Sequence, residues 1–262
     1  MTARPAPTLL ASCAVAGLGL SVAHAAPAVT AWTTLTARLW PELTGRGRRD
    51  HVALTFDDGP DPASTPAFLA TLADHEVSAT FFVLGRMAAA SPHLTRDLIE
   101  SGHEIGVHGW SHRCLLARSP RSTYDDLARA HEVITTITGV TPRWYRPPYG
   151  VLTMAALRAT RRLDLTPVLW TTWGRDWRAR ATADSVSADV RGRLAPGATV
   201  LLHDSDCTSA PRSWTASLAA LPGLIAEIRS RGLEAGPLRD HGLRGQRDWA
   251  PHDLSTKAVS VS

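Results

Sequence analysis

HVALTFDDGP, residues 51–60, decides how the chain is read. An apolar strand candidate, HVALTF, runs straight into two adjacent carboxylates, Asp57 and Asp58, and Gly59 and Pro60 then force a turn. Neighbouring aspartates at a strand end repel each other, which favours a cation between or beside them. A solvated turn is the competing reading, because Asp-Gly and Asp-Pro are common turn pairs.

Working outward, five more short apolar runs follow: SATFFVLG, HEIGVH, WYRPP, TPVLWT and ATVLLHD. Between them lie amphipathic stretches near 66–74, 92–101, 123–138, 153–162, 183–194 and 216–231, read as helices. Strand followed by helix, repeated at this spacing, predicts an α/β fold with a parallel sheet and crossover helices. The polar residues gather at the strand ends. Asp57 and Asp58 end the first strand, His108 and His112 follow the third, Arg146 ends the fourth, Asp176 follows the fifth and His203 ends the sixth. In parallel α/β folds, barrel or open, these ends form one face on which sites are built.

The chain has 262 residues, 44% hydrophobic and 20% charged, which suits one sizeable domain or two small ones and excludes disordered or collagen-like classes. Its formal net charge is only +4, and all but one of its basic residues are arginine. No long run of like charge stands out, so no nucleic-acid partner is expected. At the N-terminus, Arg4 precedes the apolar run TLLASCAVAGLGLSVA and then AHA, the pattern of a secretory signal peptide cleaved after Ala25. Export to the medium or cell envelope follows, with a retained membrane anchor as the alternative, and no stable membrane insertion once the signal is removed. Residues 26–50, with Pro27, Pro41 and GRGRRD, read as a linker, 51–238 as the catalytic unit and 239–262 as a loosely ordered tail. Oligomeric state is not legible.

HGWSH, residues 108–112, sets two imidazoles four positions apart, a spacing that places both on one side of a helical turn. The intervening residues lack the glutamate of a metalloprotease helix. If Asp58 joins His108 and His112, the result is a site of two histidines and one carboxylate with open positions, for which zinc is the simplest divalent occupant. Asp57 is then free to act as a base. In WYRPPYG, Arg146 either orients a carboxylate by bidentate pairing or serves as a structural loop arginine. His203, at a strand end, is either a packing residue or, paired with an aspartate, a poised proton donor.

TFDDGP, HGWSH, RPPYG, DW and LLHD, in this order, resemble the successive motifs of the polysaccharide deacetylase family, also called carbohydrate esterase family 4 or the NodB-homology domain. The similarity spans residues 51–237. It implies a distorted (β/α) barrel that hydrolyses acetyl groups from amino sugars, with an acetylated polysaccharide or oligosaccharide as partner, or acetyl esters of xylan in some members. Carried over by position, it implies Asp58, His108 and His112 as metal ligands and Asp57 as general base held by Arg146. It further implies the Tyr149 backbone N–H in the oxyanion hole, His203 as general acid tuned by Asp176, and Trp177 and Leu201 around the acetyl methyl.

Gly109, Val107 and Trp173 depart from the family pattern, which normally places polar or acidic groups there, so hydrogen bonds behind the metal ligands are expected to be fewer. A glycan-binding protein without turnover is therefore a third reading beside the N-deacetylase and the xylan esterase. Trp110, Trp173, Trp177 and Trp214 are candidates for stacking on sugar rings or for the core. Cys114 and Cys207, each shortly after a site histidine, are expected to bridge if their loops meet, with two free thiols as the alternative.

Overall fold

Residues 23–29 and 41–243 are described by the structure, a computed structural model. Strand β1 (His51–Asp57) is buried at all seven positions, because it runs through the centre of the sheet. It pairs with β2 (Thr80–Val83) along its second half, with β8 (Glu234–Gly236) along its first, and with β7 (Thr199–His203) on the opposite edge. Strands β3 (Glu104–Val107), β4 (Trp144–Tyr145), β5 (Thr166–Pro167) and β6 (Thr172–Trp173) complete the order β5-β4-β3-β2-β1-β7-β6. Every pairing is parallel. The sheet curls, and β5 and β6 occupy its two ends, so this is the distorted (β/α) barrel expected from the sequence. Register does the positioning. Asp57 lies beside both His203 and Phe82, which brings the ends of β1 and β7 level.

The outer layer holds α1 (Thr65–Asp74), α2 (Gly85–Ala90), α3 (Pro92–Glu100), α4 (Pro120–Thr138), α5 (Met154–Arg162), α6 (Ala183–Arg191) and α7 (Trp214–Ser230). Helix α4 shows why these segments are helical. Ser119 caps it by accepting from the Ser122 N–H, Pro120 occupies its first turn, and Gly139 ends it in the left-handed conformation at φ 71°. Its inner stripe, Thr123, Leu127, Ala130 and Ile134, repeats at helical spacing and is buried. Gly85 lets α2 approach, since a Cβ there would lie 2.6 Å from the Trp110 ring and 2.8 Å from Ala130 Cα. Inside, Phe56 packs against Phe81 and Phe68 with ring centroids 5.0 and 5.2 Å apart. Full burial of each such ring contributes about 1.5–3 kcal/mol.

Three expectations change. TPVLWT is not one strand: β5 and β6 are separate dipeptides, and residues 168–171 carry the chain between the two ends of the sheet, with Val168 N–H donating to Tyr145 and Thr171 N–H to Thr199. Residues 41–50 are tied to the barrel, through Leu169 N–H to Leu43 and Gly47 N–H to Gly197, although the sequence placed them in a linker. His241, assigned to the loose tail, is fully buried with Nδ1 2.8 Å from His51 Nδ1. Residues 1–22, 30–40 and 244–262 lie outside the described residues, and with them most of the signal peptide, the rest of the linker and most of the tail. No helix among the described residues is long and apolar enough to cross a membrane.

Candidate active site

The loops that follow β1, β3, β4 and β7 converge at one end of the sheet. Asp58, immediately after β1, sits at φ 82°, in the left-handed region that non-glycine residues seldom adopt. Its Oδ1 lies 3.6 Å from His108 Nε2 and 3.5 Å from His112 Nε2. All three ligand atoms fall within 4.8 Å of one another. His108 is oriented by its far side: Nδ1 donates to the Arg146 carbonyl at 2.8 Å, which leaves the Nε2 lone pair facing Asp58. Burial, reinforced by the neighbouring His112, lowers the His108 pKa to about 3. Burial lowers His112 as well. Both imidazoles are thus neutral, as cation ligands must be.

The donor set fits a divalent cation. Asp58 Oδ1 is buried with no hydrogen-bond partner among the described residues, a costly state for a carboxylate oxygen that a cation would relieve. Its other oxygen accepts from Thr208 Oγ1. His112, like Asp58, is held at positive φ, 53°, outside the range that non-glycine residues prefer. Asp126 on α4 fixes the loop by accepting from Trp110 N–H at 2.7 Å and Ser111 Oγ at 2.9 Å. A Cβ at Gly109 would lie 2.9 Å from that same carboxylate, and Gly109 has φ 87°. The departure at Gly109 thus makes room for Asp126, which anchors the loop from the helix side. Val107 is a core residue, and Trp173 is partly buried with Arg193 and Arg175 over its ring.

Asp57 has one oxygen at the metal site and one behind it: Oδ2 lies 3.7 Å from His108 Nε2, and Oδ1 is taken by Arg146. Arg146 Nη1 donates to its Oδ1 at 2.8 Å, and both side chains are sealed from solvent. Burial raises the Asp57 pKa, and the Arg146 charge offsets this only in part. Arg146 is aimed by Thr55 Oγ1 at 2.7 Å and the Leu169 carbonyl at 3.1 Å, and its guanidinium lies over the Phe82 ring. Pro147 and Pro148 carry no N–H, so Tyr149 supplies the first backbone donor of the bend that follows. Tyr149 has φ 58° and stands with its ring edge-on to His112.

Across the cleft, Asp176 grips His203 twice, accepting from Nδ1 at 2.9 Å and from the backbone N–H at 2.7 Å. Ser217 of α7 also donates to Asp176. Burial alone would lower the His203 pKa, but the Asp176 charge and hydrogen bond outweigh it and hold the pKa up at about 10. Asp57, His108, His112, Tyr149, Trp177, Leu201 and His203 all line one cleft of about 300 Å³.

Of the four tryptophans considered for stacking, only Trp177 lines this cleft; Trp170, which the sequence reading passed over, is there too. Trp110 is covered by Arg129, and Trp214 packs against the core from the start of α7. The expected disulfide is absent, and both cysteines are free. Cys114 is exposed on the outside of the histidine loop, whereas Cys207 Sγ turns inward to the Asp58 carbonyl at 3.5 Å. Thr55, Thr208 and Ser217 were also not singled out in the sequence. Isolated hydroxyls carry no pattern until the fold sets them against a carboxylate or a guanidinium.

Residues 44–168 match the family model for polysaccharide deacetylase. A chitooligosaccharide deacetylase of a Bradyrhizobium species is 38% identical over 195 residues, which cover 71% of this chain and 88% of that protein. The chain belongs to the polysaccharide deacetylase family. Among solved family structures, a peptidoglycan N-acetylglucosamine deacetylase superposes with a TM-score of 0.72 at 29% identity, covering 80% of this chain and 97% of that one. A family pseudoenzyme from Bacillus anthracis has the same fold, with a TM-score of 0.67 at 24% identity over 74% of this chain and 65% of that one. The relatives named as deacetylases act on amide bonds with a divalent metal, and this chain is a hydrolase of that family in which Asp58, His108 and His112 form a group able to hold such an ion.

Proposed function

We propose that the protein is an exported, zinc-dependent deacetylase that removes N-acetyl groups from an amino-sugar polymer or oligomer. The carrying observation is the division of labour between adjacent aspartates. Asp58 Oδ1 faces both neutral imidazoles with no hydrogen-bond partner among the described residues, while Asp57 approaches only His108, at 3.7 Å, and has its other oxygen held by Arg146. Two histidines and one carboxylate suit zinc with open positions. When bound, a divalent cation polarises the acetyl carbonyl and acidifies water.

The chain's own residues supply the remaining chemistry. Asp57, its pKa raised by burial, accepts the proton of the attacking water, and Arg146 keeps its second oxygen turned toward the cleft. The Tyr149 N–H stabilises the oxyanion that develops on the acetyl carbonyl. His203, held protonated by Asp176, donates to the amine nitrogen as the C–N bond breaks, releasing acetate and a free amino sugar. Leu201 and Trp177 enclose the methyl group and limit the cleft to small acyl chains. The relatives named for chitooligosaccharide and peptidoglycan support an N-acetylglucosamine substrate, and the N-terminal signal pattern supports action outside the cytoplasm.

Acetate release tests this reading. The zinc-loaded protein is expected to liberate acetate from N-acetylglucosamine oligomers or from peptidoglycan, and to stop when chelator is added. Release from acetylated xylan alone would replace the amidase with an esterase. Stoichiometric glycan binding with no acetate from any of the three would leave a binding protein.

A further inference from the structure

A second cavity of about 510 Å³ lies on the other side of the histidine loop and takes no part in the chemistry above. Ser111 and Arg113, the two chain neighbours of His112, line it, while His112 itself lines the catalytic cleft. One loop thus forms a wall of both cavities. Trp110, Arg118, Arg121, Arg129, Asp125 and Asp126 provide most of the remaining wall.

The four arginines are not equally available. Asp126 is occupied by the Trp110 N–H, by Ser111 Oγ and by Arg118 at 3.6 Å. Arg118 also donates to Ser122 Oγ at 2.6 Å, and Arg121 faces Asp125 at 3.9 Å. Arg113 makes no ion pair or hydrogen bond among the described residues, and Arg129 meets only the Trp110 ring, 3.7 Å from its centroid. Two exposed guanidiniums without a carboxylate, beside an indole, therefore face a groove in which both acids are already engaged. Guanidinium forks recognise carboxylates in bidentate fashion, and the Trp110 ring beneath Arg129 holds that guanidinium in place at the groove.

We propose that this groove is a subsite for an acidic glycan: Arg113 and Arg129 bind a carboxylate borne by a sugar next to the one whose acetyl group enters the cleft. The inference rests on the deacetylase reading and deepens it by naming the substrate class. Arg113 directly follows His112, so its Cα lies about 3.8 Å from that of a residue of the cleft wall. A carboxylate-bearing N-acetylated polymer fits this charge. A neutral N-acetylglucosamine oligomer leaves both cations unpaired.

The test uses the zinc-loaded full chain and two probes, a neutral N-acetylglucosamine oligomer and an oligomer alternating N-acetylglucosamine with N-acetylmuramic acid. Calorimetric binding and acetate release are measured separately for wild type and for the Arg113→Gln/Arg129→Gln variant. Both substitutions are exposed, and an unchanged melting temperature checks the fold. The wild type is expected to bind the acidic oligomer more tightly, with an affinity that falls as salt rises. The variant is expected to lose about tenfold in affinity for the acidic oligomer only, and Arg113→Lys about threefold, because charge survives but the fork does not. Equal losses on both probes, no wild-type preference for the acidic oligomer, or tighter binding of a glycerol-phosphate oligomer would overturn the subsite. Arginine-dependent binding of the acidic oligomer without acetate from either probe would uphold the subsite and remove the deacetylase reading.

Discussion

Arg146 holds Asp57 by a 2.8 Å hydrogen bond from Nη1 to Oδ1, inside a region closed to solvent. The same residue holds His108 by a different part of itself, its backbone carbonyl accepting from Nδ1 at 2.8 Å. Side chain and main chain of one residue thus orient the two halves of the site, and substitution separates them. Arg146→Lys keeps the carbonyl and a positive charge but cannot reach Thr55, Asp57 and Leu169 together. We expect zinc affinity within about threefold of wild type and kcat lowered by about 10²-fold. Zinc titration beside steady-state acetate release checks both figures.

Thr208 is the only described group that hydrogen-bonds the Asp58 carboxylate, at Oδ2, and it thereby turns Oδ1 toward the histidines. Thr208→Val removes the hydroxyl at nearly constant volume. Partners behind a ligand typically contribute 10- to 100-fold to metal affinity, and we expect about tenfold weaker zinc binding for this variant. Competition against a chromogenic chelator measures it. With excess zinc, kcat should recover to near the wild-type value.

The proton donor gives a pH signature. Asp176 raises the His203 pKa to about 10, so the imidazolium persists through neutral pH and is lost only as pH rises through that value. A cation bound nearby would oppose this and draw the alkaline limb downward. Asp176→Asn removes the stabilising charge, and the alkaline limb of kcat against pH should move to lower pH by about one unit or more. An unmoved limb would take His203 out of the donor role.

His103, just before β3 at the end of the strands away from the site, affects stability instead. It is buried, its Nδ1 accepts from the Ala79 N–H at 3.1 Å, and burial followed by the Arg239 charge lowers its pKa to about 4. Its folded pKa lies below the ordinary value of 6.5, so the unfolded chain binds the proton more readily. The stability it contributes is fully present above pH 6.5 and is lost as pH falls toward 4. Urea midpoints measured across that window should fall less steeply for His103→Gln than for wild type, by the equivalent of about one proton.

Much of this was legible in the sequence because parallel strands announce themselves as apolar runs and the motif residues sit at their ends. HVALTF became β1, and Asp57, the two histidines and His203 line one cleft, with Asp58 and Arg146 buried behind its wall. What stayed hidden depends on contacts between distant segments. TPVLWT has the composition of a strand, yet only Thr166 and Pro167 form one, and Thr172 and Trp173 just beyond it belong to the opposite edge of the sheet. Strand β8, residues 234–236, is too short to carry a period. Gly109 looked like a lost polar group until Asp126, seventeen residues on, was seen to occupy the space a side chain would take. The cysteines lie near site histidines in sequence, but Cys114 is exposed while Cys207 turns in to the Asp58 carbonyl.

Zinc titration of the metal-stripped protein, compared among wild type, Asp57→Asn and Asp58→Asn, bears most directly on the assignment of the two aspartates. One equivalent should bind wild type and Asp57→Asn with the same affinity to within about threefold, while Asp58→Asn weakens binding by about 10²-fold or more. Equal weakening by the two substitutions, or no zinc bound by the wild type, would contradict the account.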